Sequence, residues 1–417
     1  MTSVFFSLIR VLLRFVFIGL LSLQAKGDDR SLKLYLDADL SGGAAKAGQS
    51  IARGIEVALA EVNYQVNGVT LELVQKDHRG SSSRSHLHII EFIEDQQGLL
   101  MYGGLHSPPL LANKDFINEQ QVLTLIPWAA AGPITRSSSE ENWIYRLSID
   151  DSKAGAFIAD HAIRKEGFKK PYLILEQTGW GRSNYTTMTR YLSDQGIAPV
   201  GVHWFNWNLG RHEAKIIARD LMGSGADVVF FVGNSPEGRV ILSHLASASR
   251  GNSIAVRSHW GITGGSFYES LVPSVRKKMD LAFIQTRFSF LHQPYSPIAK
   301  KALDGAMKLF PEDIERAEDI TAPTGFVHAY DLTRIMLSSL ATLDTDLPVK
   351  ELRSQLKLAL ESIEQPVYGL IQTYQKPFST YSQQNKDAHE ALSSEHFAMG
   401  RFDKSGVIKL EGVSTVK

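Results

Sequence analysis

Apolar positions along the chain switch repeatedly between a period of two and a period of 3.6. Leu32 to Leu36 (LKLYL) predicts a strand, and Ser41 to Ala47 (SGGAAKA) a glycine-rich loop. Ile51, Ile55, Ala58, Leu59 and Val62 then recur on one helical face. Val69 to Lys76 is the next strand, and Leu87, Ile90 and Ile93 place a helix over His86 to Asp95. Leu99 to Gly103 (LLMYG) predicts a short buried strand, followed by a helix over 109–119, a strand over 122–126 and a loop over 127–133. A second run starts near Asp151: helix 154–165, strand 171–176 (PYLILE), helix 183–195, strand 199–204, helix 214–223, strand 227–232 (DVVFFV), helix 238–249 and strand 254–258. Helices at 296–309, 323–343 and 349–360 and a strand-rich tail from Tyr368 to Val407 close the chain.

Alternation of this kind means parallel sheets with helices on both faces. The predicted fold class is α/β, with two doubly wound parallel-sheet lobes. Ligands of such sheets sit in crevices outside the carboxyl ends of the strands. Here those ends are the loops near Ser41, Asp77, 105–107, 127–132, 177–182, 233–237 and 260–264. The length of 417 residues agrees with two domains of roughly 150–200 residues each.

The leading segment changes the picture of where the chain works. Arg10 and Arg14 precede an apolar run from Phe15 to Leu23, then Ala25 and polar Lys26-Gly27-Asp28-Asp29. This is the pattern of an export signal, expected to be cleaved after about residue 25, with an uncleaved anchor as the alternative. No later stretch is apolar enough to span a bilayer, so a soluble periplasmic protein is expected. Lys+Arg and Asp+Glu both number 44, so no net field attracts nucleic acid. The cysteine count of zero excludes disulfides, thiolate metal sites, thiol nucleophiles and a lipid-modified cysteine.

The strand-end loops resemble those of the leucine/isoleucine/valine-binding protein family of ABC importers, the type I periplasmic binding proteins. The resemblance is carried, in order, by LSGGAAKAGQSIARGIEVALAEVN, GGLHSPP, IPWAAAGPIT, YRLSIDDSKAG, GWG, GNSPEG and SHWGITGG. It runs from about residue 32 to 262 and more weakly to 410. It implies two lobes joined by a multi-crossover hinge, with residues 32–148 plus 285–368 in lobe 1 and 149–284 plus 369–417 in lobe 2.

The same resemblance nominates site residues. Ser107, before Pro108 and Pro109, matches a serine that holds a ligand carboxylate beside helix-start N–H groups; the alternative is a plain helix cap. Ala129, Ala130 and Ala131 stand where the family has a threonine, leaving only backbone groups there. Asp151 matches the aspartate near the lobe crossover, or else caps the helix that follows. Trp180, between Gly179 and Gly181, matches an aromatic that covers the ligand. Asn234 sits where relatives often carry tyrosine. Trp260 replaces the acidic residue that neutralises an α-ammonium, so either Asp151, Glu237 or Asp77 takes over the ammonium or the ligand is not an ordinary aliphatic amino acid. Trp128, Trp180 and Trp260 on these loops would stack a flat ring or surround a cation, and Trp180 and Trp260 are expected to face each other. For Trp128 plain packing is the favoured reading.

Little catalytic chemistry is offered. GNSPEG misses the nucleophile-elbow spacing, and Ser235 precedes a proline. His86 and His88 do not share a helical face. His78, His106 and His259 lie at strand ends, either as ordinary loop histidines or lining the cleft. The expected protein is therefore non-catalytic, without metal or cofactor. It is a monomer that binds a small polar molecule (amino acid-like, amide or carboxylate, aromatic or cationic) and touches the membrane only through an ABC permease. The alternatives are a ligand sensor coupled to a membrane kinase or chemoreceptor and, less favoured, a cleft hydrolase.

Overall fold

The computed structural model describes residues 30–248 and 254–412. The expected leader lies outside the described residues. Two parallel-dominated sheets organise the molecule. In the first, the strands are β1 (Ser31–Ala38), β2 (Gln65–Val66), β3 (Val69–Asp77), β4 (Gly98–Gly103), β5 (Thr124–Ile126) and β6 (Ile144–Arg146). Their spatial order is β2-β3-β1-β4-β5-β6, parallel except for the β2–β3 hairpin. The second sheet holds β7 (Pro171–Glu176), β8 (Gly201–Phe205), β9 (Val228–Val232), β10 (Ile254–Ser258) and β11 (Met279–Thr286). A short pair, β12 (Val367–Tyr368) and β13 (Thr373–Tyr374), stands apart, and β14 (Phe397–Phe402) and β15 (Ile408–Leu410) complete the second sheet. Its order is β15-β14-β11-β10-β9-β7-β8, with β14 and β15 antiparallel.

Both sheets obey one winding rule. Each begins in the middle, moves one strand outward, then returns to the other side. The order therefore reverses between β1 and β4 in the first sheet, and between β7 and β9 in the second. These reversals open a crevice because the flanking connections leave to opposite faces.

The helices are α1 (Ala45–Ala60), α2 (Ser82–Glu94), α3 (Ser107–Glu119), α4 (Asp151–Asp160), α5 (Gly179–Asp194), α6 (Arg211–Ser224), α7 (Ser235–Ala248), the single turns α8 (Phe267–Ser270) and α9 (Pro273–Arg276), α10 (Pro297–Leu309), α11 (Pro323–Leu340) and α12 (Val349–Glu361). The amphipathic stripe of α1 buries Ile51, Ile55, Ala58 and Leu59. It packs against α11, whose residues are nearly all buried. That contact is close: a Cβ on Gly54 would run into the Phe326 backbone, which only glycine allows. The second sheet has its own core on one face, built on Phe205, Phe231, Ile241 and Phe283.

The chain passes between the sheets three times: from β6 into α4, from β11 into α10, and from α12 to β14. The last passage differs in detail from the expected boundary at 369. His389 and Ala391 hydrogen-bond across to Arg146 at the end of β6, so this stretch lies along the first sheet. Only from Phe397 does the tail pair with β11. The polar character of residues 375–396 hides this, because ion pairs and scattered buried side chains such as Phe378 and Leu392, with no regular apolar stripe, hold the segment. Arg146 is fully buried between Asp150 (2.9 Å) and Glu390 (2.6 Å).

Candidate ligand-binding site

The two reversal points meet at one cavity between the sheets. It is narrow and is lined from the first sheet's side by Leu105, His106, Ser107, Pro108, Trp128 and Ala130. Glu176, Trp180, Asn234, Trp260 and Gly261 line it from the second. A larger hollow of about 790 Å³, near Lys46, Phe290 and Phe402, contains none of these strand-end residues.

Each wall is set by its loop. On the first side, α3 starts at Ser107, and Pro108 and Pro109 fill its first turn, where a missing N–H breaks no helical bond. Ser107 is not the cap: that position is His106, and the Ser107 hydroxyl accepts from the Ala131 N–H at 3.2 Å. The serine thus ties the second ligand loop to the third. His106 places Nε2 3.4 Å from Asp39, whose carboxylate also accepts from the N–H groups of Gly42 and Ala44. Burial acts to raise the Asp39 pKa, but these bonds outweigh it and hold the carboxyl below its ordinary range.

On the second side, Trp180 lies in the first turn of α5 rather than in a loop, and Thr178 caps that helix through the Gly181 N–H. Its neighbours fix the seat. A Cβ on Gly181 would collide with the Glu176 carbonyl, and one on Gly261 would come within 2.6 Å of the Trp180 ring. The Trp180 indole N–H is buried without a hydrogen-bond partner. Glu176 ends the apolar strand β7 and is fully buried. It accepts from the Thr178 hydroxyl (3.0 Å) and from Asn234 Nδ2 (2.9 Å). Desolvation outweighs the Trp207 indole beside it and these two bonds, and nearby Glu237 adds repulsion, so its pKa is pushed up to about 7.

Trp260 meets a different ring from the one expected. It packs on Trp128 from the other sheet, centroids 5.4 Å apart, and also on His328 of α11. His259 stands edge-on to both Trp180 and Trp260, at 5.0 and 5.6 Å. Asp151 sits behind this histidine. Because His259 Nδ1 accepts from the Trp260 N–H, its Nε2 donates to Asp151 at 2.8 Å. The helix cap is Asp150, not Asp151. The second carboxylate oxygen of Asp151 is buried without a partner.

Of the nominated residues, Ser107, Ala130, Trp180, Asn234 and Trp260 come together around the cavity. Ala129 is buried beside it, its carbonyl turned to Arg146 at 3.4 Å, and Asp151 stands outside the lining, bonded to the His259 that packs on Trp180 and Trp260. Glu176 and Pro108 were not nominated, and Trp128 and His106 line the wall although their favoured readings were packing and a loop role. His86 and His88 turn to Asn113 and Asp37 respectively.

The lobes meet around this cavity. Ala47 N–H donates to the Gly264 carbonyl at 3.0 Å, and Gly132 N–H to the Ser183 hydroxyl at 3.2 Å. Lys46 pairs with Glu269 at 2.8 Å beside the larger hollow. Trp207 lies against His106, ring centroids 5.0 Å apart. Two wound lobes closing on a lined cavity at their joint reversal points define the architecture of a two-lobed binding clamp.

Comparison with known proteins gives that class a family. The family model described as Periplasmic binding protein matches residues 36–255, and the chain belongs to that family. Curated relatives include Leu/Ile/Val-binding protein homolog 3 of Brucella melitensis biotype 1, 23% identical over 54% of this chain and 62% of that protein. Homolog 2 of Brucella abortus is 26% identical over 50% of this chain and 56% of its own length. The chain thus spans about six-tenths or less of these relatives. Among solved structures, a type 1 periplasmic binding protein from Bordetella pertussis Tohama I aligns with TM-score 0.75 at 16% identity, covering 92% of this chain and 100% of that one. A Rhodopseudomonas palustris solute binding protein of an ABC transporter in complex with p-hydroxybenzoic acid aligns at 0.72 and 17%, covering 93% and 97%. A leucine binding protein from Thermotoga maritima aligns at 0.69 and 16%, covering 92% and 99%. These likenesses establish the type I two-lobed fold.

Proposed function

We propose that the chain is an exported, non-catalytic solute receptor that captures one small molecule in the periplasm and presents it to an ABC permease. The observation that carries this reading is the convergence of both reversal points on one small cavity walled by three indoles and the polar side chains of His106, Ser107, Glu176 and Asn234. Such a site, apolar with a few placed polar groups, suits recognition of a compact ligand. Ser107, Ala130, Trp180, Asn234 and Trp260 contact the ligand in this reading. Ala129 and Asp151 position the third loop and His259. The relatives' names support the class, since they are called Leu/Ile/Val-binding homologues and solute-binding proteins of ABC transporters.

Lobe 1 comprises about 32–148 plus 285–368 and lobe 2 about 149–284 plus the tail, with residues 379–391 docked back on lobe 1. The contacts across the cavity are those of a closed clamp, which opens about the three crossings to admit ligand. The test has two parts. Mass spectrometry of small molecules released from the denatured, natively purified protein identifies the ligand. Small-angle scattering with and without that molecule then measures closure. An unchanged radius of gyration with ligand bound argues against the clamp.

A further inference from the structure

We infer that the ligand of this cleft is a small organic amine bound in its protonated form, with its ammonium at Glu176 and its carbon body among Trp128, Trp180 and Trp260. The inference rests on the solute-receptor reading and gives it a substrate class.

Three observations carry it. First, the wall that would hold an anion has lost its means. Among the described residues, no lysine or arginine lines the cavity. Pro108 and Pro109 remove two of the N–H groups at the start of α3, and the Ser107 hydroxyl faces the Ala131 N–H. A carboxylate placed there would be desolvated with few donors to replace its water. Arg146, which reaches the Ala129 and Ala131 carbonyls from behind, is already paired with Asp150 and Glu390.

Second, the opposite wall holds a buried carboxyl with acceptor capacity to spare. Glu176 accepts from Thr178 on one oxygen and from Asn234 on the other, with the Trp207 indole also beside it, whereas a carboxylate offers about four lone-pair sites. Third, three indoles share one small cavity, and aromatic faces attract a desolvated cation. The unpartnered Trp180 N–H adds a donor suited to a neutral oxygen on the same ligand.

The titratable groups around Glu176 are Glu237 beside it and His106 across the cavity, with Asp39 behind His106. The two acids favour a cation, and no basic residue among the lining side chains other than His106 opposes one. In the empty cleft Glu176 titrates near pH 7. An ammonium arriving beside it favours the ionised carboxylate, so binding at pH 6 expels a proton from Glu176 into solvent. The carboxylate fraction rises from about one-tenth at pH 6 to about nine-tenths at pH 8, a roughly ten-fold gain in amine affinity.

The probe pair is benzylamine and benzoate, similar in shape and opposite in charge. Tryptophan fluorescence of the purified mature chain should show saturable benzylamine binding that tightens about ten-fold from pH 6 to pH 8, with benzoate weaker by at least that factor. Calorimetry in two buffers of different ionisation enthalpy should record nearly one proton released per benzylamine at pH 6 and almost none at pH 8. In Glu176→Gln the pH dependence and proton release should vanish; the proton count on the unmodified chain serves as the check that needs no variant. Benzoate binding more tightly, or benzylamine binding with no proton release, overturns the amine class and leaves the solute-receptor reading standing. If neither probe binds, the charge of the molecule released from native protein decides: an acid overturns the amine class, and an amine upholds it. No released molecule together with no binding overturns both readings.

Discussion

The two walls of the cleft are built alike and equipped differently. Each is the reversal point of a sheet with the same winding order, and each presents one helix start to the cavity. The first wall carries no carboxylate, its helix start is proline-filled and its serine is engaged. The second holds a fully buried carboxyl, the amide of Asn234 and an unpartnered indole N–H. Winding fixes where a ligand sits, while the side chains after β7 and β9 decide its charge. The first wall shapes and the second selects.

The largest expected effect breaks the second wall. Trp180→Ala removes a buried ring, which should cost about 3–5 kcal/mol of stability and at least about ten-fold in affinity. Chemical denaturation and a titration with the released ligand measure both. Glu176→Gln follows, with opposite signs for binding and stability. The folded pKa of about 7 lies above the ordinary 4.5, so the native carboxyl stabilises below pH 4.5 and loses that contribution as pH rises through 7. The glutamine variant should therefore be more stable than the parent by up to about 3 kcal/mol at pH 8 and equal to it near pH 4. Melting curves across that range would expose a flat difference, which would mean that Glu176 is not desolvated in the folded state.

Smaller effects sharpen the first wall. Ser107→Ala strands the Ala131 N–H and should cost about 1 kcal/mol of stability, with little change in ligand charge preference. A ten-fold loss of affinity would mean that the Ser107 hydroxyl, and not only its backbone and Cβ, carries the contact with ligand. Lys46→Ala breaks the exposed pair with Glu269. It should change stability by less than about 0.5 kcal/mol and leave closure by scattering unaltered.

Much of this was legible in the chain. The helix and strand periods located both runs, and the loop motifs placed Ser107, Trp180, Asn234 and Trp260 at strand ends that do converge. Glu176 escaped notice because it closes an apolar strand, where a charge reads as the start of a loop. A charged residue ending a fully buried strand at a reversal point is the signal that would have found it. Trp128 and Trp260 illustrate a different gap. Local pattern puts both at strand ends but cannot say which rings meet, since that depends on how two lobes seat together. Residues 379–391 carry no period at all; the buried acid Glu390 and the backbone of His389 and Ala391 fasten them to Arg146.

The close seat of α1 on α11 bears on how the chain is made. Ser50 on the first helix hydrogen-bonds the Ala322 carbonyl just ahead of α11, 272 residues further on. A ribosome delivers Ile51 and Ile55 early, yet their cover arrives only after the parallel strands of the second sheet have been synthesised. Until then the earliest core stands half-built, with its apolar stripe open to water or to a holding chaperone. Contacts so distant along the chain also slow folding. Nascent fragments ending before Pro323 should therefore remain open to protease across α1, long after their own strands have been released from the ribosome.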